Sequence, residues 1–364
     1  MALVARPLEH VPELDGVRGI AIIGVLLLHF HAAFLPSRPL GPLSDLISVG
    51  GRGVELFFVL SGFLITSILI STQGSSNYFQ AFYARRSLRI LPLAFLAIAL
   101  FYWAAVPIAH SHGQLLKLPE SEQLYYWLFI GNWRQGFGLN DGGWLGHFWS
   151  LCIEEQFYLA FALCVRFMPR TMLLKTCIGM IATSIAFRIF VAAAHLDANA
   201  LIWRLTPLHL DPIATGAMLA CSPRFLQWAS RWRWAMMLAG TGILFPLPAE
   251  MGILLSAIGG AGLIAMALSR EVKWLRSAVL TRFGKYSYAI YVFHPFWLIP
   301  PLAKKYSYSF TLMVAALTLG PLVSFGIGWL SWNLVEKRLL AFKRYFPYRH
   351  DASMSREPAF LEKF

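Results

Sequence analysis

The sequence predicts an all-α integral membrane protein, a polytopic bundle of about ten transmembrane helices with cytoplasmic N- and C-termini. Three observations support this fold class. Of the 364 residues, 57% are hydrophobic and only 13% are charged, whereas soluble domains carry about 25% charged residues. Aromatic residues reach 15%, which is typical of helices anchored at membrane interfaces. Apolar segments long enough to cross a bilayer recur along the whole chain.

The predicted spans follow one another along a single membrane domain, residues 1–345, and a basic cytoplasmic tail, 346–364, comes after them. The spans lie at about 18–36, 54–71, 89–109, 145–168, 172–194, 205–221, 234–248, 251–269, 283–303 and 309–334. The first span lacks a convincing small-residue cleavage site, so we interpret it as a retained helix and not as a signal peptide. The longest connection, about 110–144, is rich in glycine and polar residues.

The distribution of positive charge sets the predicted orientation. Most of the 31 lysines and arginines fall on the face that holds the N-terminus. Those predicted on the opposite face are Arg38, Arg52, Lys117, Arg134, Arg204, Lys304 and Lys305. Cytoplasmic loops carry the excess of Lys and Arg, so both termini are predicted to be cytoplasmic. The net charge of +13 is therefore a topology signal and predicts no nucleic-acid partner.

Two polar residues mark the first span, "RGIAIIGVLLLHF". Arg18 and His29 are eleven positions apart, which on a helix leaves about 20° beyond three full turns and a rise of about 16 Å. The two side chains therefore share one face. Arg18 lies near the cytoplasmic end, where it serves either as a charge anchor or as a ligand for an anion. His29 lies near the midplane, and an imidazole there requires a polar partner or a function.

A basic cluster, "FYARRSLRILP", begins the third span. Arg85, Arg86 and Arg89 are ordinary as topology signals, but their density also suits a polyanion such as a nucleotide phosphate. Arg85 and Arg89 stand one turn apart on the same side of the helix.

Buried acids follow in "GHFWSLCIEEQFYLAF". His147, Glu154 and Tyr158 fall on one predicted helix face, whereas Glu155 is rotated by about 100°. A carboxylate within an apolar helix requires a partner or a function. Further along, His294 precedes Pro295, so it has either a role in the site or a packing role at a helix kink. The four cysteines show no metal spacing, and we expect neither a metal nor a permanently bound cofactor.

Six motifs in order resemble the acyltransferase-3 family of integral membrane acyltransferases. They are "ELDGVRGIAIIGVLLLHF", "GGRGVELFFVLSGFLIT", "FYARRSLRILPL", "HFWSLCIEEQFYLAF", "GKYSYAIYVFHPF" and "SWNLVEKRLL", which together cover about residues 10–345. Arg18 and His29 match the family's first-helix signature. Two features depart from it: many members continue into an esterase-like domain, and the usual Glu-x-Pro reads Glu336-Lys337-Arg338 here.

The resemblance implies transfer of an acyl group, often acetyl from acetyl-CoA, to a hydroxyl of a sugar-containing acceptor. The acceptor class extends over cell-envelope polysaccharides, glycolipids and secreted glycosides. His29 is then the general base or a transient acyl carrier, since a thioester is already activated and the hydroxyl must lose its proton. Glu154 orients a histidine or the acceptor. Arg18, Arg85, Arg86 and Arg89 hold acyl-CoA, the co-substrate. The predicted substrate contacts are Ser61, His147, Tyr158 and His294.

Two other functions fit the same polar residues. A proton-coupled transporter also carries ionisable groups near the midplane, although the sequence shows no inverted repeat. An acyl-translocating subunit would pass acyl groups to a separate transferase. The acyltransferase prediction places the protein in the inner (plasma) membrane as a multi-pass enzyme, with acyl-CoA, the acceptor and the bilayer as its partners. It leaves the oligomeric state open.

Overall fold

A computed structural model of the chain describes residues 10–34, 42–111, 122–137, 145–196, 204–244, 249–297 and 310–349. Within these ranges the secondary structure is helical, with short turns between helices. The all-α prediction is therefore confirmed for the described part of the chain. Parts of the 110–144 connection and residues 350–364 of the predicted tail lie outside it.

The helices of the described residues are numbered here in chain order. They are α1 (Pro12–Phe34), α2 (Pro42–Val49), α3 (Gly53–Thr72), α4 (Tyr78–Leu100), α5 (Val106–Ser111), α6 (Gln123–Trp127), α7 (Gly131–Gly136), α8 (Phe148–Phe167), α9 (Arg170–Ala193), α10 (Leu210–Cys221), α11 (Pro223–Gly240), α12 (Ala249–Ser269), α13 (Ala278–Trp297), α14 (Phe310–Ser331) and α15 (Lys337–Ala341). Single 3₁₀ or π turns extend several of them.

Seven helical stretches of the described chain are long and apolar enough to cross a membrane. They are Pro12–Ala33, Ser44–Thr72, Tyr78–Ile108, Phe148–Phe167, Arg170–Ala193, Met251–Ser269 and Thr311–Tyr345. Each corresponds to a span predicted from sequence, so a multi-pass membrane architecture is confirmed. The count of about ten and the cytoplasmic orientation of the termini stay predictions.

The remaining three predicted spans take other forms. The segment predicted at 205–221 contains only a 12-residue helix, α10. The span predicted at 234–248 belongs to α11, which begins earlier, at Pro223, and ends at Gly240. Its first turns carry arginine and tryptophan, residues that favour a membrane interface over the bilayer centre. Helix α13 reaches 20 residues, but Arg282 and Lys285 lie in its first turns.

Two glycine-mediated crossings bring the site-bearing helices together. A Cβ atom added at Gly216 of α10 would lie 1.8 Å from the Val59 carbonyl oxygen of α3, and one at Gly62 would lie 2.0 Å from that of Ile213. Likewise, a Cβ at Gly284 of α13 would lie 1.8 Å from the Asp15 carbonyl oxygen of α1. Small residues allow such close backbone contact between membrane helices. The α1–α13 crossing places the two helices that carry His29 and His294 side by side.

Candidate active site

Three imidazoles from three helices meet inside the bundle. His29 comes from α1 and His294 from α13, and their ring centroids are 4.9 Å apart. His147 directly precedes α8, and its ring centroid lies 5.2 Å from that of His294. His294 is 1% exposed and His147 is 6% exposed. We call these three residues the histidine cluster.

Hydrogen bonds order two members of the histidine cluster. His294 Nδ1 lies 2.8 Å from the Tyr291 carbonyl oxygen, and His294 Nε2 lies 3.1 Å from His29 Nδ1. Among the described residues, no group of three or more His, Cys, Asp or Glu side chains has a geometry suited to a metal ion. The cluster is thus an arrangement of hydrogen-bonded and packed imidazoles.

His147 is held by its backbone and leaves its ring nitrogens open. The Tyr291 hydroxyl donates to the His147 carbonyl oxygen at 2.7 Å and lies 2.5 Å from Ser150 Oγ. Within the described chain neither ring nitrogen of His147 makes a hydrogen bond of good geometry, although the Val292 backbone lies close. A buried imidazole with open nitrogens is suited to contact a substrate.

A second polar group lies about two to three turns beyond His147 along α8. The Ser61 hydroxyl donates to Glu154 Oε1 at 2.6 Å, and the Tyr158 hydroxyl donates to Ser61 Oγ at 3.2 Å. The Arg86 guanidinium lies 5.6 Å from the centroid of the Tyr158 ring. We call Ser61, Glu154 and Tyr158 the Glu154 cluster. Glu155 points elsewhere, and its Oε1 has no hydrogen-bond partner among the described residues.

The predicted cytoplasmic end of the bundle contains a cavity of about 540 Å³. We call it the basic cavity, because its wall includes Arg18, Arg85, Arg86, Arg89 and Lys343. The part of the wall contributed by α3 combines the apolar side chains of Phe63, Leu64 and Ile68 with the hydroxyl groups of Ser67, Ser71 and Thr72. Cationic groups around a partly apolar cleft suit a ligand with phosphates at one end and an uncharged arm at the other.

The three arginines of α4 have different partners. Arg85 donates from Nη1 to the carbonyl oxygens of Lys343 and Phe346, at 3.2 and 3.3 Å. It therefore caps the last helical turns of the described chain, although it also lines the basic cavity. Arg89 forms an ion pair with Glu336 at 3.3 Å, and Glu336 sits in a π turn and is 3% exposed. Arg86 stacks on Tyr158 and so joins the cavity to the Glu154 cluster.

The segment after α15 folds back onto the start of α4. Asn77 donates from its side chain to the Pro347 carbonyl oxygen at 2.8 Å, and the Arg349 amide donates to Asn77 Oδ1 at 2.9 Å. Tyr348 lines the basic cavity with Arg85 over its ring. Burial raises the pKa of Tyr348, while Arg85 opposes that rise. The phenol thus stays neutral at physiological pH.

The family model for the acyltransferase domain matches residues 11–336 of this chain. The chain belongs to the acyltransferase-3 family. The resemblance predicted from the six motifs is thereby confirmed, and the protein is an acyltransferase by family.

Curated relatives of this acyltransferase carry O-acetyltransferase names. It is 29% identical over 225 residues to the O-acetyltransferase OatA of Staphylococcus aureus, a match that covers 58% of this chain and 34% of the relative. It is 31% identical over 162 residues to the peptidoglycan O-acetyltransferase OatA of Listeria monocytogenes, covering 42% of this chain and 23% of the relative. The chain thus spans a quarter to a third of these relatives' length. No solved structure matches significantly.

The acyltransferase brings its sequence-predicted residues together in three places instead of one. His29, His147 and His294 form the histidine cluster, Ser61, Glu154 and Tyr158 form the Glu154 cluster, and Arg18, Arg85, Arg86 and Arg89 line the basic cavity. The predicted common face of His147, Glu154 and Tyr158 divides between the first two groups. The division follows from position, because His147 precedes the helix and turns its ring toward α13.

Some residues of the site escaped the sequence-based prediction. Lys343 and Tyr348 line the basic cavity and lie beyond the last span predicted from sequence, 309–334, and Tyr291 joins His147 to His294. The basic and aromatic run "KRYFPYR", 343–349, is the only signal for the first two. Tyr291 stands three residues before His294, on the same helix face, which is a signal that helical spacing provides.

Proposed function

We propose that this acyltransferase moves an acetyl group from acetyl-CoA, bound at the cytoplasmic side, to a hydroxyl of a sugar-containing acceptor. His29 acts as the general base, and the enzyme resides in the inner (plasma) membrane. One observation carries the proposal: α1 bears Arg18 in the wall of the basic cavity and, about 16 Å further along, His29 in the histidine cluster.

The basic cavity suits the nucleotide end of acyl-CoA. Arg86, Arg89 and Lys343 offer charge-assisted hydrogen bonds to phosphates. Arg18 is 35% exposed and engages Asp15 at 3.0 Å, so it remains able to exchange this partner for a phosphate or amide. The apolar side chains of Phe63, Leu64 and Ile68 in the cavity wall favour the uncharged arm of acyl-CoA.

The histidine cluster suits the transfer step. His29 Nε2 takes the proton of the acceptor hydroxyl as its oxygen attacks the thioester carbonyl carbon. The carbon–sulfur bond then breaks, and the proton passes from His29 to the departing thiolate, so that free CoA and the ester are formed. His147, with its open ring nitrogens, is placed to donate to the developing oxyanion.

The Glu154 cluster suits orientation of the reactants. Glu154 accepts from Ser61, which in turn accepts from Tyr158, and this chain of hydrogen bonds restrains all three side chains. We assign it to the passage between the basic cavity and the histidine cluster. The names of the relatives favour a cell-envelope sugar polymer as the acceptor, with peptidoglycan first among those to be tested.

Acceptor-dependent release of free CoA tests this function. The purified chain, reconstituted in vesicles, receives acetyl-CoA with a panel of peptidoglycan fragments, polysaccharides, glycolipids and glycosides. We expect one acceptor class to accelerate CoA release and to gain an ester. Transport without thioester cleavage would instead establish a carrier, and cleavage that requires a second protein would establish an acyl-translocating subunit.

A further inference from the structure

The three members of the histidine cluster differ in which ring nitrogens remain open. His294 has none, since Nδ1 faces the Tyr291 carbonyl oxygen at 2.8 Å and Nε2 faces His29 Nδ1 at 3.1 Å. A residue engaged at both nitrogens cannot bind a reactant without losing a contact. Its role must therefore be exerted through His29.

Pro295 explains why the Tyr291 carbonyl is available. In an α-helix this carbonyl would accept from the N–H of residue 295, and proline has none. Pro295 lies within α13, so the backbone bond is missing at this position inside the bundle. An orphan carbonyl in such a place requires another donor, and the imidazole of the preceding residue supplies it.

These contacts determine the positions of the protons. A carbonyl oxygen only accepts, so His294 Nδ1 carries hydrogen. No carboxylate contacts the ring of His294 among the described residues, and an unpaired buried cation is costly. His294 is thus neutral, and its Nε2 accepts a hydrogen bond from His29 Nδ1. The lone pair of neutral His29 then lies on Nε2.

The geometry points to His294 as a positioning residue that, with Pro295, holds His29 in the tautomer whose Nε2 is free to act as a base. This inference rests on the proposed function for its catalytic consequence but not for the tautomer itself. Without His294, the His29 ring would keep its contact with the Val25 backbone but would exchange more readily between tautomers and ring orientations. Restraining it places a basic nitrogen toward the reactants before they arrive.

The tautomer can be measured without any substrate. The full chain, labelled with ¹⁵N-histidine and reconstituted in phosphatidylethanolamine–phosphatidylglycerol vesicles, is compared with its His29→Gln variant to assign the His29 signals. We expect hydrogen on Nδ1 and none on Nε2 of His29, and a mixture of tautomers in His294→Leu. Hydrogen on Nε2 of His29 in the unaltered protein, or an unchanged pattern in His294→Leu, would overturn the inference and leave the proposed function standing.

Kinetics with acetyl-CoA test the consequence, with water or the acceptor identified in the panel as the nucleophile. His294→Leu should lower kcat about 10²-fold with little change in KM for acetyl-CoA. His294→Gln should recover most of that loss, because its Oε1 replaces Nε2 as acceptor. Pro295→Ala, which restores an N–H to compete for the Tyr291 carbonyl, should fall between them. Equal losses in the Leu and Gln variants at equal thermal stability would contradict the positioning role. Absence of CoA release from the unaltered chain would instead count against the proposed function.

Discussion

The basic cavity and the histidine cluster both include a residue of α1, Arg18 in the first and His29 in the second, but they operate by different physics. The cavity is open, cationic and partly apolar, and Arg18, Arg86 and Lys343 act there through charge. In the histidine cluster, His147 and His294 are buried and His29 is half-buried, and hydrogen bonds of 2.8 and 3.1 Å position His294 and His29. Charge acts over several ångströms and tolerates small displacements, whereas a proton transfer requires correct placement of one nitrogen.

This difference predicts separate kinetic signatures. Changes in the basic cavity should alter the apparent affinity for acyl-CoA and respond to salt, because exposed charges are screened. Changes in the histidine cluster should alter the rate of transfer and leave donor binding intact.

Loss of His29 should have the largest effect. His29→Ala should insert normally, bind acyl-CoA and transfer the acyl group about 10²–10⁴-fold more slowly, since the general base is missing. The measurement is kcat for CoA release beside direct acyl-CoA binding. His31 is a matched control on the same helix, about 200° away, where it faces Ser44 at 3.3 Å; His31→Ala should cost far less. Near-normal transfer by His29→Ala, together with loss of transfer in His147→Ala, would show that the general base is His147 and not His29.

The arginines of α4 come next. Arg86→Ala and Arg89→Ala should each raise the KM for acyl-CoA about 10–100-fold, because one charge-assisted phosphate contact contributes about 1.5–3 kcal/mol. The increase should shrink at high salt, where the unaltered enzyme also binds more weakly. Arg231, exposed on α11, is a control of the same charge. Arg85→Ala should instead lower thermal stability, since Arg85 caps the helical turn that ends at Phe346. A similar rise in KM for Arg231→Ala would show that overall charge matters more than the cavity.

The Glu154 cluster should give an intermediate effect. Glu154→Gln should lower kcat/KM about tenfold, the effect of about 1.4 kcal/mol from a weakened charge-assisted bond. Ser61→Ala should lower it similarly, and the double variant should lose less than the sum, because both changes remove one hydrogen bond. Glu155→Gln, the neighbouring carboxylate, should matter less. A larger loss at Glu155, with both variants properly inserted, would reverse the assignment of the two acids.

Tyr348 should have the smallest effect. Tyr348→Ala should raise the KM for acyl-CoA about threefold through the loss of a ring that borders the cavity and packs with Arg85, a contact of about 0.5–1 kcal/mol. Tyr348→Phe should behave like the unaltered enzyme, since the ring remains. Equal effects of the two variants would assign the contribution to the hydroxyl.

The fold class and the family could be predicted from the sequence because the signals for both lie within short segments of the chain. Hydrophobic segments, basic connections and the order of six motifs are properties of neighbouring residues, and they predicted seven of the spans seen as long apolar helices. The span predicted at 234–248 overlaps only the apolar C-terminal part of α11. The helix itself begins at Pro223, and its first turns contain tryptophans and arginines that hydropathy does not favour as part of a span.

By itself, therefore, the sequence determined that this is a multi-pass acyltransferase with a basic cluster and with acids and histidines inside apolar segments. Only the tertiary structure decided which of these side chains meet. His29 reaches His294 across 265 positions, Arg85 reaches Lys343 across 258, and Ser61 reaches Glu154 across 93. Such contacts depend on close helix crossings at residues such as Gly284 and Gly216. Helical periodicity assigns a residue to a face of its own helix, but the partner opposite that face is chosen by packing between helices.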